Sequence, residues 1–444
     1  MALSPNQQLL PLSATINAQQ HLTIGGCDVV ELVQQFGSPL YIVDELTIRT
    51  ACQQYRQAFQ AFYPADHLVL YASKAWSCLA LCALMAQEGL GVDVVSGGEL
   101  YTALQAGVDP TKIYLHGNNK SAQEIEEGIT AGVTIVLDNW HDIKLTTTIG
   151  SRLGVRPRVM VRVAPGIDCH THAYIRTGQR DSKFGFDLDD LPQVFAHLHT
   201  LDMDCVGLHA HNGSQIFSLE HPHDLPKILL NFYKTARSSF GLNFTELNVG
   251  GGLGIRYTEE DDPPPIGAWV EAVTQGVKQT CAELDLPLPK LLCEPGRSLV
   301  GNACITAYTV GSQKIVPGGK HYVAVDGGMS DNPRPITYQA QYRAVVANRM
   351  DAAPPDRVVT IAGKHCESGD ILIPEIKLPQ LEAGDILAVL GTGAYNYSMA
   401  SNYNRLPRLA AVLVQDGQAD LILRRETYAD LLRQDCLPDR WQRG

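Results

Sequence analysis

Over the first two thirds of the chain, short β-branched runs alternate with longer stretches whose apolar residues recur at helical spacing. The runs are Leu68–Tyr71, Gly91–Val95, Lys112–Leu115, Val133–Leu137, Arg158–Val163, Cys205–Leu208, Glu246–Val249 and Leu291–Cys293. Amphipathic stretches such as Ser121–Ala131 and Ile266–Leu284 fall between them. That makes roughly eight strand–helix units over about 230 residues, the period and size of a (β/α)8 TIM-type barrel. A doubly wound open sheet produces the same alternation. The count of eight favours the barrel, and no GxGxxG follows the first strand to argue for the alternative.

After about Ala303 the texture changes to alternating runs: Ile305–Val310, His321–Val325, Tyr342–Ala347, Arg357–Ala362, Ile371–Leu378, Ile386–Leu390, Leu409–Val414 and Ala419–Leu423. The last two flank Asp416-Gly417, a strong hairpin signal. The pattern predicts an α/β barrel over 44–304 followed by a C-terminal all-β domain over 305–444. The 1–43 segment, with its short runs Leu22–Ile24 and Leu40–Ile42, is expected to pack with the β-domain.

At 444 residues the chain is long enough for two domains, and a 45% hydrophobic, 18% charged composition suits a large core. A formal charge of −12 makes nucleic acid or an anionic membrane an unexpected partner, although a small anion can still bind a locally basic pocket. No apolar run approaches the ~20 residues a membrane helix needs. The first basic side chain is Arg49, so no targeting leader is read at the N-terminus. The 11 cysteines are scattered without a CxxC pair, as buried thiols of a reducing compartment are. A cytoplasmic protein without a metal is expected.

In a barrel the reacting groups sit at the C-terminal strand ends. Strand one ends in Tyr71-Ala72-Ser73-Lys74, and strand two carries Asp93, Ser96, Gly97 and Gly98. Strand three leads to His116-Gly117-Asn118-Asn119 and strand six to His209-Ala210-His211-Asn212-Gly213-Ser214. Strand seven ends in Gly250-Gly251-Gly252, and strand eight in Glu294-Pro295-Gly296-Arg297. A partly desolvated lysine there has a lowered pKa and an amine free for Schiff-base formation. A surface lysine is the commoner outcome, but the apolar flanks of Lys74 argue against exposure; Lys183, in a polar loop, is the rival. The two glycine-bearing loops beside Arg297 and Ser214 suit a phosphate. Glu294 suits a protonated ring nitrogen, whose charge makes a better electron sink. His209 and His211 fall on one side of a strand; a metal pair lacks a third ligand of recognisable spacing, whereas a ring stacked on a flat cofactor explains one of them.

Together, Tyr71-Ala72-Ser73-Lys74, His211-Asn212-Gly213-Ser214-Gln215, the glycine triplet and Glu294-Pro295-Gly296-Arg297 resemble the alanine-racemase-like group of pyridoxal-phosphate decarboxylases, from about residue 25 to about 432. Four further stretches resemble the diaminopimelate decarboxylases within that group: His116–Ser121, Ser182–Gly185, Cys366–Asp370 and Ser401–Asn404. The resemblance implies that Lys74 holds pyridoxal 5'-phosphate, that Asp93 helps to bind it, and that His211 rather than His209 stacks on its ring. Ser214, Gly252 and the Pro295-Gly296-Arg297 turn would bind the phosphate, Glu294 the ring nitrogen, and Tyr395 the cofactor as well. Arg297, Arg334, Tyr338, Glu367 and Tyr395 would surround the amino-acid substrate. Cys366 would donate the proton after carbon dioxide leaves, and Cys366 and Glu367 would reach the partner's site in a homodimer.

The physics agrees with this allocation. A carbanion must be delocalised and then protonated by a positioned acid. A substrate with a second amino-acid head needs a guanidinium and a carboxylate at its distal end, which Arg334 and Glu367 supply. Decarboxylation of ornithine, arginine or carboxynorspermidine is the nearest alternative, but diamine-forming relatives carry aspartate where this chain has Glu367. A non-catalytic binding relative is disfavoured by Lys74 and Cys366, and a barrel-type cofactor carrier by the β-domain.

Overall fold

The computed structural model describes residues 4–166, 182–351 and 355–441. Eight parallel strands close into a ring: β1 (His67–Ala72), β2 (Gly91–Val94), β3 (Ile113–Leu115), β4 (Thr134–Leu137), β5 (Arg158–Ala164), β6 (Asp204–His209), β7 (Glu246–Asn248) and β8 (Lys290–Cys293). β8 returns to β1 with Leu291 opposite His67 and Cys293 opposite Val69, so no barrel edge is left unpaired. These are the eight short apolar runs, displaced by a residue or two at their ends.

Leu68, Leu70, Tyr114, Val136, Met160, Val206 and Leu292 form one apolar cluster inside the ring. At its N-terminal end the buried Glu246 accepts a hydrogen bond from Tyr114 Oη at 2.7 Å and faces Arg158 Nη2 at 2.7 Å and Lys290 Nζ at 3.2 Å. That end is fastened by ion pairs, and the opposite end is left to carry chemistry. The covering helices start and stop where the side chains direct. Ser121 and Glu124 make a reciprocal capping box at the helix Ala122–Ala131, which Gly132 ends in a left-handed turn.

The chain divides into two compact units, Met1–Gln8 with Ile48–Gly301 and Leu9–Thr47 with Asn302–Gly444. The second unit is strand-rich. Leu40–Asp44 lies between Cys304–Ile315, antiparallel to it, and Ala410–Gln415, parallel to it. Asp416 and Gly417, at φ 51° and 77°, close the hairpin from Ala410–Gln415 to Gln418–Leu423. Leu22–Ile24 is central in a separate small sheet with Thr15–Ile16 and Cys27–Asp28.

One expectation needs adjusting. The 1–43 segment does not go to the β-unit as a piece, because Asn6 and Gln7 are hydrogen-bonded to the loop after β7. Among the described residues, no helix is long and apolar enough to cross a membrane.

Candidate active site

Lys74 follows β1 in the single turn Ser73–Ala75, half-buried and flanked by the buried Ala75 and Trp76. Its rival Lys183 is exposed and lays its ammonium 4.9 Å from the centre of the Phe184 ring. On the neighbouring strand stands Glu294, just after β8 and buried. Its Oε2 accepts a hydrogen bond from His209 Nε2 at 3.0 Å, and its Oε1 accepts one from the Asn248 amide at 2.6 Å. His116 Nε2 lies 2.9 Å from the same Oε1 and 3.8 Å from Asp93 Oδ1. The two imidazoles meet edge to face, with ring centres 4.7 Å apart.

Burial alone would raise the carboxyl of Glu294. The His116 and His209 rings outweigh it and hold the group well below the usual carboxylate range. Asp93 goes the other way, raised by burial that His116 only partly relieves. Burial pushes His209 down to about 4, so its ring is neutral at pH 7 and serves as a donor. The result is a fixed anion in the barrel mouth, suited to holding a proton on a cationic heterocycle. The ligand atoms of His116, His209 and Glu294 lie within 4.8 Å of one another, as a metal site requires. Both carboxylate oxygens, however, are already engaged by ring and amide donors, which favours a charge-holding role over metal ligation.

The loops after β6 and β7 run side by side. Ile216 N–H donates to Gly252 O at 2.9 Å and Gly254 N–H to Ile216 O at 3.1 Å. The Gln215 amide meets both the N–H and the carbonyl of Ile255, at 3.2 and 2.7 Å. Gly252 has φ +116°, and a Cβ there would sit 2.7 Å from Gly213 O, so only glycine lets the loops close. Arg297 donates to Ser214 Oγ at 2.9 Å and to Tyr257 Oη, with its guanidinium 5.6 Å from the centre of the Tyr257 ring. The turn before it is fastened by Glu294 N–H to Gly250 O at 2.8 Å and by Ala72 N–H to Pro295 O at 3.1 Å. A Cβ on Gly296 would press on Ala72 and Ala75, so this turn lies directly against the lysine-bearing one. His211 Nδ1 accepts the Gly251 N–H at 3.2 Å. Desolvation, reinforced by the charge of Lys74, holds that ring well below the ordinary imidazole value.

This donor set fits pyridoxal phosphate. An amine stands at β1 and a buried anion at β8, while a guanidinium, a hydroxyl and glycine backbone line the loops after β6, β7 and β8. The glycines of the loops after β6 and β7 carry no side chain that would keep an anion from their backbone N–H groups.

The remaining expected residues belong to the second unit. Arg334 is buried and donates to Tyr342 Oη at 2.6 Å; Tyr342 in turn donates to Asn396 Oδ1 at 3.3 Å. Tyr338 and Tyr395 are half-buried, and Tyr395 holds φ +68° despite its side chain, a conformation retained where surroundings demand it. Cys366 and Glu367 are exposed on a loop shaped by the buried Asp370. That carboxylate accepts from Met329 N–H at 2.7 Å and His365 N–H at 2.9 Å, and contacts His365 Nδ1 at 2.7 Å. Tyr403 stacks on His365 with ring centres 5.9 Å apart, and Asn404 accepts the Cys366 N–H at 2.8 Å. The Cys366–Asp370 and Ser401–Asn404 stretches are thus joined by that hydrogen bond and, through His365, by the ring stack.

The structure therefore gathers Lys74, Asp93, His211, Ser214, Gly252, Glu294, Pro295, Gly296 and Arg297 at one end of the barrel. Arg334, Tyr338, Cys366, Glu367 and Tyr395 lie in the other unit. Reading the sequence missed His116, His209 and Asn248 as partners of Glu294, and Tyr257 as the brace of Arg297. His116 and Asn248 do stand at strand ends, which was the available signal; Tyr257 carries none. Lys120, in the His116–Ser121 stretch, is buried and donates to Gly117 O, Val136 O and Asp142 Oδ2 at 2.6–2.7 Å, a brace between β3 and β4.

Residues 45–301 match the family model for the pyridoxal-dependent decarboxylase pyridoxal-binding domain. The diaminopimelate decarboxylase of Synechocystis sp. is 58% identical over 98% of this chain and 95% of its own length. That of Bacillus subtilis is 47% identical over 94% and 96%. The crystal structure of the M. jannaschii diaminopimelate decarboxylase in complex with L-lysine superposes with a TM-score of 0.90 at 32% identity, covering 99% of this chain and 100% of the other.

Proposed function

The chain belongs to the diaminopimelate decarboxylases, within the pyridoxal-dependent decarboxylase family, and from that premise we propose how its residues divide the work. It converts meso-2,6-diaminopimelate to L-lysine and carbon dioxide, the last step of lysine biosynthesis, with pyridoxal 5'-phosphate as cofactor. The observation that carries the residue assignment is the ionised Glu294, held in the barrel mouth by His209, Asn248 and His116.

Bound pyridoxal phosphate supplies the electron sink for the pair left on Cα when carbon dioxide departs. In the proposed assignment Glu294 keeps a proton on the ring nitrogen, and His116, His209 and Asn248 keep Glu294 ionised. Lys74 holds the cofactor through its amine. His211 covers one face of the ring, with its orientation set by the Gly251 N–H. Ser214, Gly252, Gly296 and Arg297 receive the phosphate. Arg334 pairs with the distal carboxylate and Glu367 with the distal ammonium, with Tyr338 and Tyr395 beside them. Cys366 delivers a proton to the carbon that lost its carboxylate.

Cys366 and Glu367 stand exposed on a firmly supported loop, which suits residues that serve a second subunit. We read the enzyme as a homodimer in which each chain lends them to its partner. Free thiols, mostly buried, support a cytoplasmic location, and the charge of −12 supports the absence of a nucleic-acid partner. Incubating purified protein with meso-diaminopimelate and measuring lysine and carbon dioxide together tests this account. Cofactor-dependent release of both in equal amounts is expected, and turnover unaffected by removing the cofactor would overturn it.

A further inference from the structure

The amino-terminal turn has no part in the reaction described above, yet its side chains are spent on a single loop. Asn6 is 1% exposed and lies in the turn Pro5–Gln7. Its side-chain amide nitrogen donates to Gly254 O at 3.1 Å and to Pro264 O at 2.9 Å, while its backbone carbonyl accepts the Arg256 N–H at 2.9 Å. Gln7 Nε2 donates to Pro263 O at 3.0 Å. The loop cannot satisfy these carbonyls from within easily, because residues 263–265 are all proline and have no N–H to offer. One planar amide therefore clasps the two ends of the excursion from Gly254 to Pro264.

Tyr257 lies inside that excursion, next to Arg256, and its hydroxyl accepts from Arg297. The same turn also packs against the short helix Arg297–Val300, so it touches the arginine's support from a second direction. A path of direct contacts runs from Asn6 through the loop to Tyr257, then to Arg297 and Ser214.

We propose that Asn6 is a positioning residue for the phosphate end of the cofactor site, acting through the Gly254–Pro264 loop and Tyr257 on Arg297. The inference rests on the reading that Arg297 and Ser214 receive the phosphate. Without the clasp the loop samples positions in which Tyr257 no longer braces the guanidinium. Cofactor binding then draws on a smaller competent population, and apparent affinity falls in proportion to it. Once the cofactor is bound the loop is held by it, so turnover at saturating cofactor is unaffected.

The test is the affinity of Asn6→Ala for pyridoxal phosphate, measured by cofactor release on dilution of the holoenzyme and by re-titration of the stripped protein. If the competent population drops to roughly a tenth, the dissociation constant rises roughly tenfold. Turnover on meso-diaminopimelate at saturating cofactor should stay within about twofold of wild type, and the thermal shift produced by the cofactor should shrink. A lowered melting temperature with unchanged cofactor affinity would mean the turn only packs, and would overturn the proposal. So would a loss of turnover with affinity intact. Should Asn6→Ala fail to fold, Gln7→Ala removes one half-buried bond and should weaken the cofactor by about two- to threefold; no change there counts equally against the clasp. Borohydride labelling of wild type separates the two levels. Label absent from Lys74 undoes the reading of the site itself, whereas label on Lys74 with unchanged affinity in the variant undoes only the clasp.

Discussion

Glu294→Gln keeps the volume of the side chain and removes its charge. In the native site His209 Nε2 at 3.0 Å, the Asn248 amide at 2.6 Å and His116 Nε2 at 2.9 Å all converge on the two carboxylate oxygens. An amide offers one acceptor and one donor, so one of these contacts survives only if a ring nitrogen turns from donor to acceptor. The contact with a protonated ring nitrogen is lost as well. A hydrogen bond to a charged group is worth about 1.5–3 kcal/mol, so losing the one that strengthens the electron sink should lower kcat roughly 10- to 150-fold. Arg297, Ser214 and Gly252 are untouched, and the variant should therefore retain a full complement of cofactor. The assay is steady-state decarboxylation of meso-diaminopimelate at saturating cofactor, with the absorption spectrum recorded in parallel. A kcat within threefold of wild type, with cofactor bound, would show that the ring nitrogen does not depend on Glu294.

Three further outcomes are expected. Borohydride reduction should attach the cofactor to the Lys74 peptide, and recovery on Lys183 would sink that assignment. Cys366→Ala should bind substrate but turn over ~10²–10⁴-fold more slowly, whereas a loss below about tenfold would mean another donor; mixing it with Lys74→Ala should restore some activity if sites are shared, and none despite proven subunit exchange counts against sharing. His209, pushed down to about 4 from an ordinary 6.5, contributes stability that is present above pH 6.5 and lost as pH falls toward 4. Urea denaturation of cofactor-free protein should show wild type losing up to about 3 kcal/mol more than His209→Gln over that window, and parallel curves for the two proteins would contradict it.

Much of the architecture is legible in the sequence. The barrel strands are short, apolar and set at even intervals, which leaves few other arrangements, and Asp416-Gly417 announced its hairpin. The 1–43 segment is expected to pack with the β-domain, but the strands between which Leu40–Asp44 lies are not readable, because its parallel partner Ala410–Gln415 lies far along the chain and strand pairing leaves no mark at that distance. The site divides in the same way. Lys74, the glycine triplet and the Glu294–Arg297 turn were visible because strand ends are where barrels put chemistry. The Glu294 cluster was not assembled, since Asn248, His116 and His209 come from three strands and no spacing links them. Asn6 and Tyr257 work through backbone carbonyls and a hydroxyl, contacts that many residue types can make.

The central claim is that this chain decarboxylates a substrate with two amino-acid heads. Lysine and ornithine end in a bare ammonium, so with either of them the arginine assigned to the distal carboxylate, Arg334, loses its charged partner. Losing a buried charge-assisted pair costs ~2–5 kcal/mol, a discrimination of roughly 30- to several-thousand-fold. Steady-state kinetics of wild type and Arg334→Ala on meso-diaminopimelate, lysine and ornithine measure it directly. The account predicts efficient turnover of meso-diaminopimelate, little or none of the other two, and a fall in kcat/KM on meso-diaminopimelate for Arg334→Ala with the cofactor retained. Comparable kcat/KM on ornithine and meso-diaminopimelate would contradict it.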